Sequence, residues 1–137
     1  MFKKKSIHSL LSFFLIPIAF GMGTLSCFAQ LTKEKVEHYR TVDSLQILLK
    51  SAKADTNKVN ILNALCLETK KESPENSIHY GERALSLAQL LSFKRGIAKS
   101  LTNMSLVYKF NNDNEKALEC NLQSLKILIS LFVLYSK

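Results

Sequence analysis

The chain contains two imperfect copies of one segment. LNALCLETKKESPENSIHYGERALSLA begins at Leu62, and LTNMSLVYKFNNDNEKALECNLQSLKI begins at Leu101. Before an internal turn the copies are offset by 39 residues, pairing Leu62 with Leu101, Leu65 with Met104 and Leu67 with Leu106. After it the offset is 40, pairing Glu75 with Glu115, Ser77 with Ala117 and Leu85 with Leu125. The one extra residue falls in the turn, where loops absorb insertions. A segment of this length, with a turn in its middle, holds two helices. It cannot bury its apolar stripe alone, so the copies must stack. The repeat therefore predicts an all-α fold of antiparallel helical hairpins, an architecture that serves as a scaffold for binding.

Apolar spacing gives the same answer along the chain. Val42, Leu45, Leu48 and Leu49 form one set, Val59, Leu62 and Leu65 a second, and Ile78, Leu85 and Ala88 a third. Ile97, Leu101, Met104 and Tyr108 follow, then Ala117, Leu118, Leu125 and Leu128. Steps of three and four place each set on one stripe of an α-helix. Between the sets stand Asp55 before Thr56, Ser73 before Pro74 and Glu75, and the run Asn111, Asn112, Asp113 and Asn114; these are cap and first-turn residues. The pattern predicts helices near residues 32–52, 56–71, 74–91, 94–111 and 114–133. Their short connections make consecutive helices antiparallel. Small residues on one face (Ser77, Gly81 and Ala84, then Ala117 and Ser124) let them approach closely.

The first 29 residues differ in composition. Lys3, Lys4 and Lys5 precede the apolar block LLSFFLIPIAF, and Ser26, Cys27, Phe28 and Ala29 close it with mostly small side chains. This layout predicts a signal peptide over residues 1–29 and export to the periplasm. The same stretch admits an uncleaved inner-membrane anchor, since about 20 apolar helical residues cross a bilayer. It also admits lipid attachment at Cys27, which would make the product a lipoprotein-like periplasmic carrier. Removing residues 1–29 lowers the net charge from +8 to +5, with 16 basic and 11 acidic residues interleaved over residues 30–137. Neither a basic face nor recognition-helix chemistry accompanies that charge, so no nucleic-acid partner is expected. Cys66 and Cys120 remain, and they read as small buried side chains ahead of a bridge.

The second copy resembles the tetratricopeptide repeat family. Leu101, Met104, Ser105 and Tyr108 match the large, large, small and aromatic positions of that family's first helix. Asn112, Asp113, Asn114, Glu115, Lys116, Ala117 and Leu118 are similar to its turn and entry into the second helix. In the first copy Thr69 and Ser77 stand where the family has its aromatic and its alanine. The long repeats, with Phe93, Lys94, Arg95, Gly96, Ile97 and Ala98 before the second unit, resemble the exported sensory regions of Bacteroidetes sensor histidine kinases and transcriptional regulators. That resemblance implies a short α-solenoid over residues 30–137, with a half unit at 32–52 and units at 56–91 and 94–133. It implies a protein-interaction module that belongs to a signal-transduction sensor. Peptide recognition then falls on the concave face lined by the first helix of each unit: Asn60, Asn63, Ala64 and Leu67 in one, and Lys99, Thr102, Asn103, Leu106 and Lys109 in the other. Asparagine amides there can bond a peptide backbone in both directions, and lysines can attract a carboxylate.

No catalytic constellation accompanies these residues. GxSxG, HExxH, CxxC and a Gly-rich phosphate loop are all missing, so no enzymatic activity, metal or cofactor is expected. The stretch that starts at Ile127 and ends at Tyr135 reads ILISLFVLY, apolar nearly all round and, at nine residues, too short to span a bilayer. It predicts a truncated array without a polar cap, hence self-association, with a non-functional fragment as the alternative. Membrane contact is expected only through the N-terminal segment or a missing C-terminal part.

Overall fold

Caps and stop signals in the sequence become helix ends in the structure. The computed structural model describes residues 8–136, and side-chain surroundings from residue 30 onward. The helices are α1 (His8–Ser51), α2 (Thr56–Glu68), α3 (Pro74–Leu90), α4 (Lys94–Phe110) and α5 (Asn114–Tyr135); a 3-10 turn, Thr69–Lys71, prolongs α2. The protein is all-α, with no strand among the described residues. The ends of α2 to α5 lie within two residues of the expected ones once the 3-10 turn is counted with α2. The exception is α1, which begins far upstream of residue 32. No proline or glycine stands between residues 24 and 51 to stop it, and upstream it runs on through Pro17, Gly21 and Gly23. As for the expected signal peptide, residues 1–7 and the side chains through residue 29 lie outside the described residues.

The chain divides into two units, residues 1–39 and residues 40–137. In the first, the described part is helical, and the rings of His38 and Tyr39 meet edge to face at 6.1 Å. The second holds the last turns of α1 and all the other helices. There α2 packs on α3, α3 on α4, α4 on α5, and α2 also on α4. Its core is built from Val59, Leu62, Ala84 and Ala88, with Leu49, Tyr80, Leu87, Phe93 and Ile97 packed around them. Small residues set the spacing as expected. A side chain at Gly81 would meet Met104 Cγ at 2.5 Å and Cys66 Sγ at 3.2 Å, so that glycine marks the point where α2, α3 and α4 converge. Ser77 donates its hydroxyl to the Cys66 carbonyl across the α2–α3 contact.

Asp55 caps α2 by accepting from the backbone N–H of Asn57 at 2.9 Å and of Lys58 at 3.1 Å. Asp113 caps α5 through Lys116 N–H at 3.2 Å and pairs with the Lys116 ammonium at 3.0 Å. Those two hydrogen bonds hold the Asp113 carboxyl below the usual carboxylate range. Ser73 sits at the N-cap of α3, but its hydroxyl makes no capping bond; Pro74 and Glu75 carry that end.

The two hairpin turns at α3–α4 and α4–α5 are built alike. Ser92 (φ 52°) and Asn112 (φ 62°) are left-handed residues just past the C-caps of α3 and α4. At the first, Phe93 N–H donates to Ala88 O and Ser92 N–H to Gln89 O; at the second, Asp113 N–H donates to Tyr108 O and Asn112 N–H to Lys109 O. This is the Schellman pattern, which glycine fills best and asparagine tolerates. Serine fills it least well of the three. Ser92→Gly is therefore expected to stabilise the fold by about 0.5–1 kcal/mol, since relief of the left-handed strain exceeds the added freedom of the unfolded chain. Asn112→Gly should gain less. Urea midpoints of the two variants measure the difference, and a Ser92→Gly variant less stable than the parent would refute this account of the turn.

Candidate functional site

The expected peptide-binding residues lie on α2 and α4, and the structure sorts them into two groups. Asn63 and Asn103 face inward, 0% and 5% exposed. The Asn103 amide donates to the Asn63 carbonyl at 3.2 Å and to Asn63 Oδ1 at 3.1 Å, while the Asn63 amide donates to Ser100 Oγ at 3.0 Å. The Ser100 hydroxyl in turn donates to Gly96 O at 3.0 Å. These groups pin α2 to α4 and satisfy one another in a buried place, where an unmet amide would cost about 1–3 kcal/mol. They are engaged in the fold and are not presented to a ligand.

The second group faces outward. Asn60, Lys99, Thr102, Leu106 and Lys109 are exposed, and Leu67 and Ala64 are half-buried beside them. Thr102 is held in place: its hydroxyl lies 3.0 Å from Ala98 O and 2.9 Å from Ser124 Oγ, and Ser124 donates to the same Ala98 carbonyl at 2.9 Å. Helix α5 thus fixes the rim of the α4 surface. Chemically the exposed part of α4 offers one leucine, Leu106, and two ammonium groups, Lys99 and Lys109.

A feature that sequence reasoning passed over lies between α2 and α3. Lys58, His79, Arg83 and the acidic Glu82 line an open cleft of about 420 Å³ together with Leu62 and Leu87. His79 is an exposed residue of α3. Its i, i+4 spacing to Arg83 was the available signal, but Lys58 joins them only through tertiary packing. Lys58 also reaches back to Ala52 O at 3.2 Å.

Both described cysteines are free. Cys66 is wholly buried, and burial pushes its thiol above the usual range. Cys120 is half-buried and shifted the same way for the same reason. Among the described residues no cluster of three or more His, Cys, Asp or Glu side chains is placed to hold a metal ion.

Fold and surface together define an all-α protein of packed helical hairpins that exposes Lys99, Leu106 and Lys109 on α4. Comparison of the chain with protein-family models, with curated proteins and with solved structures found no match.

Proposed function

We propose that this chain is an exported protein-interaction scaffold, a short tetratricopeptide-like α-solenoid that binds a peptide or partner protein and forms the sensory part of a signal-transduction protein. The observation that carries the reading is the direct contact of α2 with α4 through groups 37 and 40 residues apart in sequence. First helices of successive hairpins lie side by side when repeats stack, and their outward residues then make one surface. Export and a periplasmic location rest on the composition of residues 1–29.

The face consists of Asn60, Leu67, Lys99, Thr102, Leu106 and Lys109, without Asn63 and Asn103. Lysines attract and orient an acidic peptide terminus, and the leucines supply the apolar contact. An immobilised library of peptides with free C-terminal carboxylates tests this. Lys99→Ala with Lys109→Ala should lower retention about tenfold, the loss of one or two charge-assisted contacts, with the circular dichroism spectrum unchanged. Equal retention by the double variant, or by peptides with amidated ends, would overturn the assignment of the face.

A further inference from the structure

The expected contact surface at residues 127–135 is only the end of a longer feature. Helix α5 is 22 residues long, and its most apolar window has a mean hydropathy of 1.5, enough by length and composition to cross a membrane. It turns Ala117 and Ser124 inward against α4. On another side stand Leu118, Leu122, Leu125, Ile129 and Phe132, between 50% and 74% exposed. Their steps are four, three, four and three residues, the seam of a two-stranded coiled coil about 21 Å long. A continuous exposed row of large apolar side chains marks an interaction surface.

The charges beside the seam select its occupant. Glu119 and Lys126 each follow a seam residue, Leu118 and Leu125, and so lie on the same edge one heptad apart. Both are exposed. In an antiparallel pair of such helices this edge of one copy runs along the same edge of the other, which sets Glu119 beside Lys126 of the second copy, twice by symmetry. A parallel pair would not bring these two residues together. Glu119 keeps one contact of its own, accepting from Gln123 Nε2 at 3.2 Å, and that leaves its second oxygen for a partner.

We propose that the chain forms a two-fold symmetric dimer through antiparallel pairing of α5, with Leu118 against Ile129 and Leu122 against Leu125 as the seam and Glu119 against Lys126 as the register. A two-fold contact of this kind closes on itself and does not propagate into fibres. It uses none of the residues of the proposed peptide face.

Sedimentation equilibrium of the full chain in a density-matched neutral detergent tests the pairing. The parent chain should show a concentration-dependent dimer, and Leu122→Glu, a substitution at a half-exposed position, should abolish it without loss of helix. Glu119→Lys alone and Lys126→Glu alone each set like charges together twice, and each should weaken dimerisation by roughly tenfold. An equimolar mixture of these two variants restores both pairs and should dimerise as the parent does. A parent that stays monomeric, or a mixture no tighter than the single variants, overturns the proposal. So does flotation of the chain with phosphatidylcholine vesicles that Leu122→Glu abolishes while the chain in detergent shows no dimer; that result assigns the seam to a bilayer.

Discussion

Asn103→Asp should destabilise the protein by about 4 kcal/mol at neutral pH, the cost of an unmatched buried carboxylate. The amide of Asn103 donates to two oxygens of Asn63, the carbonyl and the side-chain oxygen. An aspartate there offers acceptors to acceptors, in a place where the residue is 5% exposed. A domain of about a hundred residues has only about 5–15 kcal/mol to lose. The direction with pH follows from linkage. Burial against two oxygens raises the carboxyl's pKa in the folded state above its unfolded value of about 3.9. Between those two values the folded state holds a proton that the unfolded state has released, so stability falls as pH rises through that window. Below it the neutral acid donates O–H to Asn63 Oδ1 and the deficit shrinks. Urea unfolding at pH 4 and pH 7.5 measures the contrast; a variant equally stable at both, relative to the parent, would show that Asn103 is not buried against Asn63. Replacing both asparagines by leucine should cost less than the single aspartate, because no buried charge or amide is then left unmatched and Ser100 keeps its bond to Gly96 O.

Leu62→Ala should cost about 3 kcal/mol. Leu62 is 2% exposed and touches a core assembled from three helices, with Val59 on α2 and Ala84 and Ala88 on α3, and Phe93 and Ile97 beside them. Truncation removes the transfer energy of a methine and two methyl groups and leaves a cavity whose walls cannot collapse, because Ala84 and Ala88 are already minimal. Leu125→Ala is the contrast. Leu125 is 52% exposed, so in a monomer its loss should register within about 0.5 kcal/mol. Urea midpoints at a concentration where the chain is monomeric compare the two. Equal effects at Leu62 and Leu125 would mean that the core does not lie where α2, α3 and α4 meet.

That contrast shows how far the sequence could be read. Helices α2 to α5 were legible because their information is local: caps at Asp55 and Asp113, proline at the first turn of α3, and apolar steps of three and four. The all-α class follows from those elements and from the absence of any alternating run. The candidate site was half legible. Lys99, Thr102, Leu106 and Lys109 are exposed as expected, yet Asn63 and Asn103, which share the same helices and similar spacing, are buried. Polarity alone suggested exposure; the network with Ser100 and Gly96 O made burial affordable, and that network spans helices distant in sequence.

The nine-residue run at 127–135 likewise looked too short for more than a terminal contact. Within α5 it continues the stripe that begins at Leu118, because helical spacing joins residues that a count of consecutive apolar letters separates.

By itself, then, the sequence determined helices α2 to α5, their antiparallel order and the small residues at their contacts, since each depends on neighbours a few positions away. Which polar side chains face a partner, and which face each other, depended on the approach of α2 to α4. Which apolar side chains stay in water depended on what α5 leaves uncovered. Only the tertiary structure decided those two matters, because burial belongs to a pair of surfaces and not to either sequence alone.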